Sequence, residues 1–217
     1  MIKRSGVKWR LAQWLEYKWW QHYLKKKNVT AYLEWKSSYW NKILDAINSF
    51  VVLKEDQQIL DAGCGPAGIF MVLKKNQVIA VDPLLDKYKN LPHFNELAYP
   101  WVTFLNQPIE DLDQQACFDV IFCMNAINHV KDIERCYDRL MSALKPGGLI
   151  VISTDCHRND VVKKVFQLLP GDVLHPIQLN LKEYNEQLTK RGMEVLSNIR
   201  LKREMIFDYY LTIAQKS

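Results

Sequence analysis

The chain has 217 residues, 48% of them hydrophobic, and a formal net charge of +5, enough for one domain with a real core plus a terminal extension. No run of 18 apolar residues occurs and the N-terminus lacks the apolar region of a secretory signal, so neither a spanning helix nor secretion is expected. The five cysteines (Cys64, Cys117, Cys123, Cys136, Cys156) form no CxxC pair and no zinc-ligand spacing with histidine; they read as reduced thiols of a cytoplasmic protein without a metal site.

Charge and aromatics concentrate at the start. Residues 1–30 hold eight Lys or Arg against one acid, and six of the seven tryptophans fall within residues 1–40. Residues 7–27 read as a helix, with Val7, Leu11, Trp14, Leu15 and Trp19 recurring at three- and four-residue steps. Lys25, Lys26 and Lys27 place cations at its C-terminal dipole end. A second helix is expected over 30–49, with Thr30 as N-cap and Tyr32, Leu33, Trp40, Ile43, Leu44 and Ile47 as apolar positions. Residues 1–50 are thus a helical extension and 51–217 a sheet domain. Three roles compete for the extension. It is a lid in which Tyr32, Trp35, Tyr39 or Trp40 closes on a ligand, or plain packing on the sheet edge, or a basic surface for anionic lipid or RNA. No RNA-binding module signature is present.

Next comes Ile59-Leu60-Asp61-Ala62-Gly63-Cys64-Gly65-Pro66-Ala67-Gly68. An apolar run ends at an acid, and three glycines follow in six positions. The run fits a buried strand, and the glycines fit a tight turn where backbone approaches a ligand. Residues 69–73 are expected to form the helix that packs back on the sheet. Gly63-x-Gly65-x-x-Gly68 satisfies the dinucleotide fingerprint. Two residues argue against that ligand. Asp61, read on the ligand side of the turn, would repel a pyrophosphate but suits a cationic group. Pro66, at the expected helix start, has no N–H to offer a phosphate.

Val78-Ile79-Ala80-Val81-Asp82 is a second buried strand ending in an acid, 17 residues after Gly65. Further strands are expected over 101–105, 118–124 and 149–154. A helix with Asp132 as N-cap and Ile133, Cys136, Tyr137, Leu140 and Leu144 on one face leads to the turn Pro146-Gly147-Gly148. A helix near 181–191 and extended stretches at 194–201 and 207–214 complete the chain. Such alternation implies a parallel sheet with right-handed crossovers.

In this order and spacing, these segments resemble the class I S-adenosylmethionine-dependent methyltransferases, in particular the small-molecule branch that includes the ubiquinone and menaquinone biosynthesis methyltransferases. The likeness covers residues 55–155 and, more loosely, 190–214. It implies an α/β, Rossmann-like fold with a mostly parallel seven-stranded sheet and an antiparallel last strand. It implies S-adenosyl-L-methionine as cofactor and a small-molecule methyl acceptor. By position, Gly63 and Gly65 would form the turn under the methionine part, and Asp61 would help hold its amino end. Asp82 would accept hydrogen bonds from the ribose hydroxyls, and Pro83 and Leu84 would flank the adenine. Ile109 and Glu110 lie in the run that reads the adenine edge, where Pro108 replaces the family's usual acid. Asn125 ends the fourth strand, where the family lines cofactor and acceptor.

His129, just after the fourth strand, is the leading candidate for a general base at the rim where open α/β sheets bind ligands. Its competing role is to order the loop into the next helix. His157 and Asp155 follow the fifth strand at the same rim as weaker candidates. His22, His93 and His175 have no positional argument. Cys64 reads as a small filler without an adjacent base. Met124-Asn125-Ala126-Ile127 stands where base methylases of the family carry an Asn/Asp-Pro-Pro-Tyr run, so no DNA acceptor is expected. The alternatives are a methyltransferase acting on RNA or on a membrane-associated lipid-like substrate, a cofactor-binding module without catalysis, and a nicotinamide enzyme.

Overall fold

The computed structural model describes residues 6–157, 179–204 and 207–217. Seven strands form one sheet: β1 (Gln58–Ala62), β2 (Gln77–Val81), β3 (Val102–Leu105), β4 (Phe118–Met124), β5 (Leu144–His157), β6 (Met193–Arg203) and β7 (Phe207–Lys216). Their order across the sheet is β3-β2-β1-β4-β5-β7-β6. The pairs among β1 to β5 are parallel, and β7 runs antiparallel between β5 and β6. The order reverses between β1 and β4, which opens a crevice at their C-terminal ends, the usual ligand site of such sheets.

Successive strand residues point to opposite faces, and each face carries its own core. Ile59, Val78, Ala80, Val120 and Phe122 pack on one side with Trp40, Ile43 and Ile47 of α2 (Val29–Ile47). Leu60, Val81, Ile121 and Cys123 pack on the other with Ile133, Tyr137 and Leu140 of a later helix (Ile133–Ala143) and Tyr184 and Leu188 of the last one (Leu181–Thr189). A short helix, α3 (Leu85–Tyr88), precedes them, so these two are α4 and α5. The first helix, α1 (Gly6–Lys25), forms an aromatic hairpin with α2 through Tyr23 and Tyr32, whose ring centroids lie 6.2 Å apart.

Several expectations are corrected. The segment after the glycine turn is not an α-helix but two short 3-10 turns, Gly65–Ala67 and Ile69–Val72. Pro66 withholds an N–H there, and Ile69 and Phe70 are wholly buried, so the chain has no outer face to present to water and returns directly to β2. The second helix is capped by Asn28, not Thr30: the Asn28 side chain accepts the Ala31 N–H at 3.0 Å. The apolar stripe read for the first helix faces solvent. Val7, Leu11, Trp14 and Trp19 are all exposed, while Ala12, Gln13 and Leu24 are buried. The fifth strand is longer than 149–154, because the Pro146-Gly147-Gly148 turn is taken up as an irregularity between the Phe118–Leu144 and Val120–Leu149 pairings. Asp132 does cap α4, accepting the Arg135 N–H, and the C-terminal stretches do form the antiparallel ending.

Candidate functional site

The glycine turn follows β1 with Gly63 at φ +74° and Gly65 at φ +60°, a region that L side chains rarely adopt. A Cβ on Gly63 would collide with the Ala126 side chain from the loop after β4, so the two loops meet only because Gly63 has none. The turn is fastened to β2: the Gly63 and Cys64 N–H groups donate to Val81 O at 2.8 and 3.1 Å.

Asp82, at the end of β2, grips the same turn. One carboxylate oxygen accepts the Gly65 N–H at 3.0 Å and the other accepts the Leu84 N–H at 2.8 Å. Burial pushes its carboxyl up to about 6. Asp82 lines a cavity together with Gly63, Gly65, Pro83, Ile109, Glu110, Asn125 and His129, which brings eight of the nine singled-out residues together. Asp61 is the exception. It lies beneath the turn rather than on its ligand side, 1% exposed, with its carboxylate accepting the Phe70 N–H at 3.0 Å. Burial pushes this carboxyl up to about 7. Its observed work is to tie the end of β1 to the second 3-10 turn.

Two other residues carry structural duties beside their place in the cavity wall. Glu110 accepts the N–H groups of Lys131 and Asp132 at 2.7 and 3.1 Å, anchoring the loop into α4. Asn125 sits at φ +54°. Its N–H donates to Ser153 Oγ, and that hydroxyl donates back to Asn125 Oδ1, both at 2.8 Å. His129 is half-buried in the wall between Ala126 and Val130, its N–H donating to Ala126 O at 3.0 Å. Asp155 is not part of the cavity lining; the His157 side chain and all of His175 lie outside the described residues. Cys64 is buried in the turn, and burial holds its thiol well above the ordinary range. Among the described residues no group of three His, Cys, Asp or Glu could hold a metal.

The cavity is roofed by the N-terminal helices, and here sequence reasoning missed most residues. Trp9, Gln13, Glu16 and Trp20 of α1 and Lys36 and Trp40 of α2 complete the wall. Trp40 donates its indole N–H to Ala67 O at 2.9 Å, hooking α2 to the first 3-10 turn. Of the other aromatics considered for a lid, Tyr32 is buried against His93 and Trp35 is exposed. Tyr39 packs edge-on against Trp40. A signal for the α1 face was present: positions 9, 13, 16 and 20 follow the helical step. It competed with the Val7-Leu11-Trp14 register, which is more apolar. Lys36 is half-buried, and burial lowers its ammonium to about 8.

Residues 32–198 match a family described as a methyltransferase domain. The ubiquinone biosynthesis O-methyltransferase of Rickettsia prowazekii (strain Madrid E) is 27% identical over 150 residues, covering 60% of this chain and 60% of that protein. The chain thus spans about 60% of the length of this curated relative. Among solved structures, the Burkholderia thailandensis 1,6-didemethyltoxoflavin-N1-methyltransferase, with bound 1,6-didemethyltoxoflavin and S-adenosylhomocysteine, superposes with a TM-score of 0.69 at 19% identity, covering 99% of this chain and 91% of that one. The [4+2]-cyclase SpnF superposes with a TM-score of 0.62 at 16% identity, covering 81% and 80%. At these identities both likenesses concern the fold, and a cyclase on the same fold means that the site must carry the argument for the reaction.

Proposed function

The chain belongs to the methyltransferase domain family, and from that premise we propose that it transfers a methyl group from S-adenosyl-L-methionine to a hydroxyl of a small-molecule acceptor. The observation that carries the reading is the cavity at the reversal of strand order, where the Gly63–Gly65 turn and the Asp82 carboxylate meet. The residues fit the cofactor. At Gly65 the nearest atom to where a Cβ would stand is the Trp20 ring of the roof at 3.7 Å, so the backbone of the turn faces the cavity there. Asp82, Glu110 and Glu16 give the wall an acidic character suited to a cationic ligand. The hydroxyl as acceptor is supported by the name of the ubiquinone biosynthesis relative.

When bound, the cofactor supplies a methyl on a sulfonium, which leaves as a neutral thioether. The chain's own task is placement. Gly63 and Gly65 admit the ligand close to backbone, Asp82 offers lone pairs beyond its two backbone bonds for the ribose hydroxyls, and Pro83 and Ile109 flank the base. Such alignment can supply roughly 7–11 kcal/mol of the barrier. We assign His129 as the base that accepts the hydroxyl proton at a ring nitrogen, a contribution of about 10²–10⁴-fold. Residues 1–50 act as the lid over residues 51–217, since α1 and α2 form the cavity roof. We place the reaction in the cytoplasm, a reading supported by five free thiols; among the described residues no helix is long and apolar enough to cross a membrane.

The test is calorimetric titration with S-adenosylmethionine, S-adenosylhomocysteine and NADH, followed by a screen of phenolic acceptors with and without anionic vesicles or RNA. Micromolar binding of the adenosyl compounds alone is expected. Binding of NADH instead would overturn the reading. In turnover with the acceptor found, His129→Ala should lower kcat by at least about 100-fold while cofactor affinity stays put; an unchanged kcat would return His129 to a loop-ordering role.

A further inference from the structure

Helix α1 has two apolar sides, and the fold uses one of them. Trp9, Gln13 and Trp20 line the cavity, and Ala12 and Leu24 are buried. On the other side, positions 7, 11, 14, 18, 22 and 25 follow helical steps of three and four, and all six are exposed. Val7 is 70% exposed, and Leu11 and Trp14 are each 49% exposed. A contiguous apolar patch rimmed by polar residues marks an interaction site. The rim here is cationic: Arg10, Lys18, Lys25, Lys26 and Lys27 are exposed. The Lys18 ammonium lies 5.9 Å from the Trp14 ring centroid. Glu16, the single acid of α1, stands on the cavity side. Residues 1–30 carry eight Lys or Arg against one acid, a charge of +7 in a chain of +5, which leaves −2 for residues 31–217.

We infer that the outer side of α1 is a docking face for an anionic lipid bilayer. Val7, Leu11 and Trp14 enter the boundary between headgroups and acyl chains, and the surrounding cations meet the lipid phosphates. This docking goes beyond the proposed methyl transfer and stands without it. A helix with apolar residues flanked by Lys and Arg lies in the plane of the interface, held by buried apolar area and by attraction to anionic lipid. Two other occupants fit less well. A second copy would set two basic helices face to face, because a two-fold contact pairs like with like. An RNA would meet the cations but leave Val7 and Leu11 in water. The inner side of α1 roofs the cavity, so docking brings that cavity to about one helix diameter, roughly 10 Å, from the lipid.

The experiment is co-sedimentation of the full chain with vesicles of phosphatidylcholine alone and of phosphatidylcholine with about one-third phosphatidylglycerol. Wild type should bind the anionic vesicles at about 0.1 M salt, and at least about 10-fold more weakly at about 1 M salt or with neutral lipid. Leu11→Ser combined with Trp14→Ser should weaken this binding by about 10-fold or more. The melting temperature should stay within about 2 °C, since both side chains already stand in solvent. Lys25→Gln, Lys26→Gln and Lys27→Gln in one protein should weaken binding by about 100-fold without touching Leu11 or Trp14. Brominated acyl chains should quench the tryptophan fluorescence of wild type more than that of Trp14→Phe. A wild type that ignores anionic vesicles overturns the inference. So does binding that the Leu11→Ser, Trp14→Ser protein retains in full, which would be charge attraction alone. A chain that binds single-stranded RNA and no vesicle, or forms a dimer that the same double substitution dissolves, also overturns it and assigns the face to RNA or to a second copy.

Discussion

At the scale of single residues, side chains that line the cavity also hold backbone in place. Asp82 accepts two backbone N–H groups, from Gly65 and Leu84, and so shapes the turn before any ligand arrives. Carboxylate oxygens offer about four lone-pair sites, so two remain for hydroxyl donors. Asp82→Asn keeps the shape and one good acceptor but loses the charge and half of this capacity. We expect S-adenosylhomocysteine binding to weaken by about 10- to 100-fold. The melting temperature should fall by a few degrees, because the amide NH2 cannot accept one of the two backbone N–H groups that Asp82 holds. Calorimetry paired with thermal melting checks this, and near-normal affinity would remove Asp82 from ribose recognition. Asp61 differs in kind. Its carboxylate accepts the Phe70 N–H below the turn and ties the end of β1 to the second 3-10 turn.

At the scale of elements, α4 and α5 are joined by charges that the cavity does not use. Glu134 of α4 lies 2.7 Å from both Lys190 and Arg191, which follow α5, and Arg191 also reaches Asp138 at 2.6 Å. Burial raises the Glu134 carboxyl, but the hydrogen bonds and charges of Lys190 and Arg191 outweigh that and hold it down at about 2. A carboxyl whose folded value is depressed adds stability that is complete above its unfolded value and is lost as pH falls toward the folded one. The window here runs from about 4.5 down to about 2. Glu134 is about one-third exposed, so solvent screening reduces the contribution to about 1 kcal/mol. Glu134→Gln should therefore lower the urea-unfolding free energy by about 1 kcal/mol at pH 7 and flatten its decline between pH 4.5 and pH 2. An unchanged acid limb would show that the pair is only a surface contact.

At the scale of the molecule, the helices at the start of the chain and the loops at the strand ends close one cavity from opposite sides. α2 is anchored by buried Trp40, Ile43 and Ile47, while α1 leaves Val7, Leu11, Trp14 and Trp19 in solvent and places Trp9, Gln13, Glu16 and Trp20 over the cavity. With few buried contacts, α1 belongs to the less stable part of the fold, from which lids are drawn. Ligand at 100 times its Kd should stabilise the protein by about 2.7 kcal/mol. If α1 is a lid, amide hydrogen exchange in Gly6–Lys25 should slow together with exchange around Gly63–Gly68 when S-adenosylhomocysteine is added. Protection confined to the sheet and the glycine turn would mean that α1 is only packed nearby.

The sequence alone determined what depends on local chemistry. Buried strands show as apolar runs, and β1, β2 and β4 were located to within a residue. A turn at positive φ favours glycine, so Gly63 and Gly65 were legible, and the spacing from Gly65 to Asp82 marked the second strand of the same unit. The antiparallel ending was legible only through the family resemblance, because strand pairing is non-local. Tertiary structure decided what depends on which surfaces meet. It turned the Trp9–Gln13–Glu16–Trp20 face of α1 over the cavity and left the more apolar Val7–Leu11–Trp14 face in solvent. It replaced a helix after the glycine turn with 3-10 turns, because that segment is enclosed on all sides. It placed Asp61 in a backbone contact beneath the turn, and it carried Lys36, which in the sequence is one lysine among many, into the cavity as the single lysine or arginine among its described lining residues. Burial and encounter are properties of the assembled chain; periodicity and glycine geometry belong to its segments.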